Sequence, residues 1–456
     1  MTARMMHLNL FLFGCGHHRG AWRHPHSSVE RLGDIRYYEQ LAQTAERGKL
    51  DAVFFADGHA VGNVADGSAW FLEPLTALAA MSRATERIGL ISTVSSTFAT
   101  PFHTARQVAS LDHISGGRMG WNVVTSMFDV EARNHGYEAM PAHAERYRRA
   151  DEFVEAVLKL WDSWTDDALQ CDRGGQYADP EKVRPIHHRG EYFLVDGPLN
   201  VPRPPQGHPV LFQAGASEPG RELAARRAEA IYAVAWDLPA AQAYYRDIKR
   251  RVKAAGRSAP VLILPGLVPY VAATVEEAQA KQRELDGLLP VAASLRQLGL
   301  FTAQDCLTWE LDAPVPPLPS LEAFTGPKGR YSTILRIIET EHPTVRQLLG
   351  RLAAGGGHCT LVGTPEQIAD HMEHWFVNEG ADGFNLMPPL LPGGLEDFVE
   401  QVVPVLQRRG LFRTAYDSAT LRGHLGLERL EGFSKITRAI PCYTPGILMP
   451  EVCRWH

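Results

Sequence analysis

Amide and hydroxyl side chains follow a short apolar run in the segment from Ser115 to Ser126, SGGRMGWNVVTS. The Ser-Gly-Gly turn interrupts the preceding element, and the run that contains Trp121 is typical of a buried strand. Asn122, Thr125 and Ser126 would then lie at or near the C-terminal end of this strand, where parallel α/β proteins bind ligands. Taken alone, the segment is also explained by an ordinary strand whose polar residues cap the next element.

A second candidate ligand site is Gly215-Ala216-Ser217, which follows a strand candidate and precedes a helix candidate. Gly215 allows the backbone to turn and to approach a ligand closely. Ser217 can cap the helix, whose free N–H groups and dipole favour a phosphate. Because most serine caps bind only their own helix, the pattern indicates a phosphate site only in combination with other features.

Three further polar residues could contact the same ligand. Asp57 follows an apolar strand candidate, and its simpler role is in a turn or a cap. His143 and Tyr147 are spaced i, i+4 and therefore share one helix face. The simpler role of His143 is at a helix start, and that of Tyr147 is core packing.

Histidines cluster after the first strand candidate, at His17, His18, His24 and His26. Their spacing matches no defined metal-ligand pattern, and no carboxylate lies nearby at helical spacing. We therefore expect no metal here. His17 and His18 would lie on the rim of the sheet where ligands bind.

Composition and charge exclude several classes of protein. The 456 residues are 45% hydrophobic and 21% charged, which is ordinary for a soluble protein with a large core. The formal net charge of −6 provides no basic footprint for nucleic acid or an anionic membrane, and no apolar run is long enough to span a bilayer. The cysteines form no C-x-x-C pair, which favours a reducing cytoplasm over a disulfide framework or a zinc site.

The elements that must position these residues alternate between strands and helices. The strand candidates are residues 7–13, 51–58, 87–97, 115–126, 209–217, 230–235, 261–272 and 383–389. This alternation favours a closed (β/α)8 barrel over an open sheet. Since parallel strands end at one rim, we expect Asp57, Thr93, Ser95, Asn122 and the Gly215–Ser217 turn to share that rim.

One barrel is expected to occupy residues 1–432. Insertions at its C-terminal rim are expected at about residues 165–208 and 300–344, and the second is rich in proline. A stretch of this length outside the repeat is usually functional or mobile. Residues 433–456 show no clear period, and we assign this tail no role.

Six colinear motifs between His7 and Leu427 resemble those of the bacterial luciferase-like flavin monooxygenases. The similarity is to the branch of nitrilotriacetate, dibenzothiophene-sulfone and pristinamycin-type monooxygenases. The motifs are GHHRGAWRHP (16–25), TAERGKLDAVFFADG (44–58), ASLDHISGGRMGWNVVTS (109–126), AHAERYRRADEFVEAVLKLWDSW (142–164), GEYFLVDGPLNVPRPPQGHPVLFQAGAS (190–217) and the run from VGTPEQIADHMEHWF to LFR (362–413). Motifs of this length and order are far more specific than a lone glycine motif.

The resemblance implies a luciferase-like TIM barrel that binds reduced FMN non-covalently. A separate NAD(P)H:flavin reductase would supply the flavin, which would react with O2 to give a C4a-(hydro)peroxyflavin. This species would oxygenate a small organic substrate, with C–N or C–S bond cleavage among the outcomes. The resemblance also suggests a homo-oligomer, either a dimer or a tetramer.

The resemblance also assigns roles to residues by position. The flavin contacts would be Asp57, Ser95, Asn122, His143, Tyr147, Ala216 and Ser217. Ser217 and the Ala216 backbone would take the phosphate, and His143 and Tyr147 would close over that end. Asn122 would bond the flavin ring or ribityl chain. His17 and His18 would face the reacting edge, where a histidine with a near-neutral pKa could stabilise or protonate a peroxide.

The hydroxyl that would contact the flavin has two candidates. The sequence reads VSSTF at residues 94–98 where the family often reads ASTT-Y, so Thr93 is the alternative to Ser95. The insertion at 300–344 matches the family's mobile cover, and we expect it to order when flavin or substrate binds.

Three other functions remain as alternatives. A deazaflavin-dependent oxidoreductase would share the fold, and so would a flavin-binding relative without oxygenase activity. A sugar-phosphate barrel lyase or isomerase would need a Schiff-base lysine or paired carboxylates at strand ends, and the predicted strand ends carry no lysine.

Overall fold

Parallel strands alternate with helices throughout the computed structural model, which describes residues 4–432 except 63, 66, 68–71 and 325–327. The strands are β1 (His7–Leu12), β2 (Ala52–Phe55), β3 (Gly89–Ser95), β4 (Met119–Val124), β5 (His188–Arg189), β6 (Leu194–Val195), β7 (Val210–Gln213), β8 (Ala230–Ala233), β9 (Leu262–Val271), β10 (Cys359–Gly363) and β11 (Gly383–Leu386). The α-helices are α1 (Ile35–Arg47), α2 (Pro74–Ala84), α3 (Pro101–Ser115), α4 (Asp129–Arg133), α5 (His143–Trp161), α6 (Glu218–Arg227), α7 (Leu238–Ala254), α8 (Val275–Gly287), α9 (Val291–Thr302), α10 (Lys328–Glu341), α11 (Val345–Ala353), α12 (Pro365–Val377), α13 (Gly393–Asp397), α14 (Val403–Arg408) and α15 (Leu421–His424). No helix in this described part of the chain is both long and apolar enough to cross a membrane.

Eight parallel strands close into a barrel. Their order around the barrel is β1-β2-β3-β4-β7-β8-β9-β11, and β11 pairs with β1 to complete the ring. The short β5 and β6 form a separate antiparallel pair within the first insertion. The predicted (β/α)8 barrel is therefore confirmed.

Alternation along the strands separates two cores. On β4, Trp121 faces the helices and packs against Phe153 and Trp161 of α5, with ring centroids 5.8 and 6.1 Å apart. Asn122 must then face the barrel interior, because successive strand residues point to opposite sides. Aromatic side chains also fill the interior: Phe11 lies 4.9 Å from Phe54 between ring centroids.

The N-terminal end of the barrel is closed by α15. Leu421 enters between β3 and β4, where a Cβ at Gly89 or Gly120 would lie 2.5 or 2.9 Å from its side chain. Arg422 pairs there with Glu229, just before β8. This plug leaves the C-terminal mouth as the open end of the barrel.

The second insertion contributes a helical layer beside the mouth. Its helix α10 shares a hydrophobic core with the flanking helices α9 and α11, and Arg336 of α10 pairs with Asp237 at the start of α7. The sequence interpretation missed β10, which follows three consecutive glycines and pairs with the outer half of β9. The reason is composition: the strand reads CTLVG, in which only Leu361 and Val362 are large apolar residues.

Candidate active site

Asn122 presents a hydrogen-bond acceptor inside the barrel. Its Nδ2 donates to the Thr93 hydroxyl at 2.9 Å, and that hydroxyl donates to the Phe55 carbonyl at 2.7 Å. Because the Thr93 hydrogen goes to a carbonyl, Thr93 must accept from Asn122, which fixes the orientation of the amide. Asn122 Oδ1 is then buried without a partner. A buried acceptor of this kind favours a ligand that brings an N–H or O–H group.

Ser95 lies next to this pair on the same rim. Its hydroxyl accepts from the Ser126 hydroxyl at 2.9 Å and keeps its own hydrogen. Thr93, by contrast, uses its hydroxyl both as donor and as acceptor within the protein. The geometry favours Ser95 over Thr93 as the ligand contact, and the assignment stays a prediction.

Arg146 connects the β4 loop to the start of α5. It is buried, and its guanidinium donates to the carbonyls of Thr125 and Ser126. This contact places His143 and Tyr147, one turn apart on α5, close to the end of β4. The rings of His143 and Tyr147 lie 5.0 Å apart, with His143 exposed.

The start of α6 forms a shallow cradle with the Tyr147 hydroxyl. Ser217 caps this helix by accepting from the Gly220 N–H at 3.3 Å. A Cβ at Gly215 would lie 3.0 Å from the Tyr147 hydroxyl, and one at Gly220 would lie 3.1 Å from it. The two glycines therefore let the Tyr147 hydroxyl approach the start of the helix closely, beside the exposed Ala216. Backbone N–H groups at a helix start, a serine and a phenol close together suit an anion such as a phosphate.

Asp57 belongs to a polar network that sequence reasoning did not detect. One of its oxygens accepts from His59 Nε2 at 3.0 Å, and the other accepts from the Gly58 N–H at 2.9 Å. His59 Nδ1 lies 2.7 Å from His135 Nε2. The hydrogen bond that His59 donates to Asp57 raises the pKa of His59. Asp57 thus orients His59 on the rim, and its predicted contact with flavin stays a prediction.

His17 lies at the mouth but does not have the expected acidity. Its Nε2 donates to the Phe11 carbonyl at 3.0 Å, and its ring packs against Phe11 and Phe13. Burial lowers the pKa of His17 to about 4, despite the opposing effect of the bond to Phe11. The expectation of a near-neutral pKa is therefore wrong for His17. At neutral pH the ring is uncharged, and Nδ1 can only accept a proton or a hydrogen bond.

His18 is held by the protein through both ring nitrogens. Nδ1 accepts from the Gly20 N–H at 3.0 Å, so Nε2 carries the hydrogen and donates to Asp286 of α8 at 3.1 Å. The side chain is buried. This geometry suits a residue that anchors the loop after β1, and the catalytic role predicted for His18 remains untested.

Reduced FMN fits these groups on two counts. The unpartnered oxygen of Asn122 can accept from a flavin N–H or a ribityl hydroxyl, and the cradle at Ser217 and Tyr147 can hold the phosphate. Both lie at the carboxyl ends of neighbouring strands, β4 and β7. Within the described residues, no group of three or more His, Cys, Asp or Glu side chains could hold a metal ion.

Two histidines at the mouth predict a specific pH dependence of stability. Burial lowers the pKa to about 4 for His17 and to about 3 for His358. Unfolded histidine titrates near pH 6.5, so between about pH 4 and 6.5 the unfolded chain binds more protons, and stability falls as pH falls. Each histidine should contribute a loss of about 2 kcal/mol between pH 7 and 5.

Urea unfolding at pH 8, 7 and 5 checks this expectation. A His358→Gln variant should lose about 2 kcal/mol less than wild type between pH 7 and 5. Between pH 8 and 7 the two proteins should show the same change, because both histidines are neutral there in either state. Equal losses between pH 7 and 5 would contradict the prediction.

Comparison with known proteins identifies relatives across nearly the whole chain. The family model for luciferase-like monooxygenases matches residues 9–383. N-acetyl-S-(2-succino)cysteine monooxygenase of Bacillus subtilis (strain 168) is 45% identical over 430 residues, which cover 93% of this chain and 97% of that protein. Nitrilotriacetate monooxygenase component A of Aminobacter aminovorans is 45% identical over 450 residues, with coverage of 93% and 97%.

A solved structure agrees with these matches. Riboflavin lyase, crystallised with modified FMN and its substrate riboflavin, superposes with a TM-score of 0.81 at 33% identity, covering 93% of this chain and 96% of that one. The family and the enzyme class that the motifs implied are thus confirmed. The chain belongs to the luciferase-like monooxygenase family.

Proposed function

We propose that this protein is the oxygenase of a two-component system that uses reduced FMN and O2 to oxygenate a small organic substrate. The observation that carries the proposal is the pairing of a buried, unpartnered acceptor with an anion cradle on one rim of the barrel. Relatives named monooxygenases and a solved relative that binds modified FMN support it. When bound, reduced FMN supplies the electrons that activate O2.

Different residues at the mouth bind different parts of the cofactor. Ser217, the Ala216 backbone and Tyr147 hold the phosphate, which anchors the cofactor at the edge of the barrel. Asn122 and Ser95 fix the orientation of the part that enters the barrel, since the hydrogen bond that Asn122 donates to Thr93 and the one that Ser95 accepts from Ser126 already restrict their side chains.

Aromatic side chains form the floor beneath this site. Phe11 lies 4.9 Å from Phe54 and 5.3 Å from Tyr232 between ring centroids. An apolar floor excludes water from the reacting atoms. His17, neutral and with Nδ1 as an acceptor, sits at this floor and can hold a proton-bearing group in place.

The proposal also includes a partner protein, an oligomeric state and a cellular location. A separate NAD(P)H:flavin reductase supplies the reduced cofactor in this proposal. The name "component A" of one relative agrees with a system of more than one component. We also propose a homo-oligomer, a dimer or tetramer, in the cytoplasm.

The test separates cofactor binding from oxygenation. The purified protein is titrated anaerobically with photoreduced FMN, and binding is followed by the flavin absorbance. It is then given isotope-labelled O2 with candidate substrates, and mass spectrometry detects the product. Saturable binding and one labelled oxygen atom per product molecule are expected.

Other outcomes discriminate among the alternatives. Binding followed by peroxide release with every substrate would identify a flavin-binding protein without oxygenase activity. Absence of reduced FMN binding, together with binding of a deazaflavin or a sugar phosphate, would overturn the proposal.

A further inference from the structure

A second group of side chains lies next to the proposed flavin site, on β8 and on the loops before β10 and after β11. The Tyr232 hydroxyl lies 2.9 Å from His358 Nε2 and 3.1 Å from Met387 Sδ. The rings of Tyr232 and His358 stack with centroids 5.1 Å apart. Tyr232 also packs on Phe11. These contacts make a rigid wall that continues the aromatic floor of the barrel.

The wall itself carries no charge at neutral pH. His358 is buried, and burial, followed by the nearby charge of Arg330, lowers its pKa to about 3. Burial likewise raises the pKa of Tyr232 well above its usual range. Any charge recognition here must therefore come from a residue at the edge of the wall.

Arg330 of α10 is that residue. Its Nη1 lies 3.4 Å from the Gly356 carbonyl, and its guanidinium lies 4.9 Å above the Phe301 ring. A Cβ at Gly356 would collide with Nη1, and Gly356 adopts a φ of +60°, which favours glycine. The second insertion and the glycine loop together hold this guanidinium beside His358.

The charge of Arg330 is left available for a ligand. Its side chain is exposed, and within the part of the chain that the structure describes no carboxylate lies within ion-pair distance of it. Other arginines of the insertion and of the helix that follows it are paired: Arg336 with Asp237, and Arg346 with Asp312. An unpaired arginine at the entrance to an apolar site suits a carboxylate, which it can bind through two parallel hydrogen bonds.

We propose that Arg330 selects substrates that carry a carboxylate group. The carboxylate pairs with the guanidinium, and the adjacent carbon chain packs along Tyr232, His358 and Met387 towards the reacting atoms. This inference rests on the proposed function and names its substrate class. The names of two relatives, which act on nitrilotriacetate and N-acetyl-S-(2-succino)cysteine, agree with it.

The test measures substrate binding without flavin. Isothermal titration in metal-free buffer uses nitrilotriacetate and N-acetyl-S-(2-succino)cysteine as probes, and the uncharged trimethyl ester of nitrilotriacetate as the matched comparison. Wild type should bind at least one of the two carboxylate probes. If it binds nitrilotriacetate, it should bind this probe about tenfold or more tightly than the trimethyl ester. Arg330→Gln should weaken carboxylate binding by about tenfold or more, with partial recovery in Arg330→Lys.

The control variant is Arg346→Gln, which removes an exposed arginine of α11, directly after the insertion, that is paired with Asp312. It should bind the carboxylate probes as wild type does. Equal binding by wild type and Arg330→Gln would overturn the inference, and so would wild type that binds neither probe. The proposed function is tested separately, by the anaerobic titration with reduced FMN, which contains no carboxylate probe. Failure of one experiment can therefore be told apart from failure of the other.

Discussion

A Ser217→Asp variant is expected to bind reduced FMN about 100-fold more weakly than wild type while folding normally. Ser217 caps α6 through the Gly220 N–H, and aspartate is an equally good cap. The fold should therefore tolerate the change. The new carboxylate occupies the helix N–H groups and repels the phosphate in the cradle beside Tyr147. Two like charges a few ångströms apart near a protein surface are worth about 2–4 kcal/mol, which covers the expected loss.

Anaerobic titration with reduced FMN and with reduced riboflavin measures this effect. Riboflavin lacks the phosphate, so its affinity should be the same for wild type and Ser217→Asp. Ser217→Asn is the matched control, because asparagine has the same shape and caps equally well without a charge. It should retain most of the affinity for reduced FMN. If Ser217→Asp binds reduced FMN as wild type does, the phosphate does not lie at this helix.

Local patterns were sufficient to predict the barrel and part of the site. Alternating strands and helices predicted all eight strands of the closed ring, because each strand carries its own apolar run and turn signals. Glycine at 215 and a capping serine at 217 also predicted the geometry at the start of α6. In both cases, neighbouring residues in the sequence set the structure.

Features that depend on distant contacts were not predictable in this way. The pKa of His17 follows from its burial against Phe11 and Phe13, which depends on how the loop after β1 folds back. His59 meets His135 across 76 positions of the chain. The position of Arg330 depends on how the second insertion packs against the glycine loop. A sequence pattern shows the residue types but not these contacts between distant parts of the chain.

A substitution at the N-terminal end of the barrel, opposite the site, is expected to have a large effect on the free energy of unfolding. Replacing Arg422 by methionine is expected to lower the free energy of unfolding by about 3–5 kcal/mol. Arg422 makes a bidentate ion pair with Glu229, with N···O distances of 2.6 and 2.9 Å. Both side chains are buried, with exposed fractions of 3% for Arg422 and 11% for Glu229. Methionine preserves much of the volume but leaves the Glu229 carboxylate buried without its cation.

Chemical unfolding of the single and double variants separates loss of packing from loss of charge. In Arg422→Met with Glu229→Gln, no charge is left unpaired, and the amide can still accept the Leu211 N–H that now bonds the carboxylate at 3.1 Å. The double variant should therefore recover a substantial part of the stability, whereas packing loss alone predicts no recovery. Arg346→Met, which breaks an exposed pair with Asp312, should cause no measurable change. Because α15 closes the N-terminal end, the affinity of folded Arg422→Met for reduced FMN should equal that of wild type, and a change there would show that the plug and the mouth are coupled.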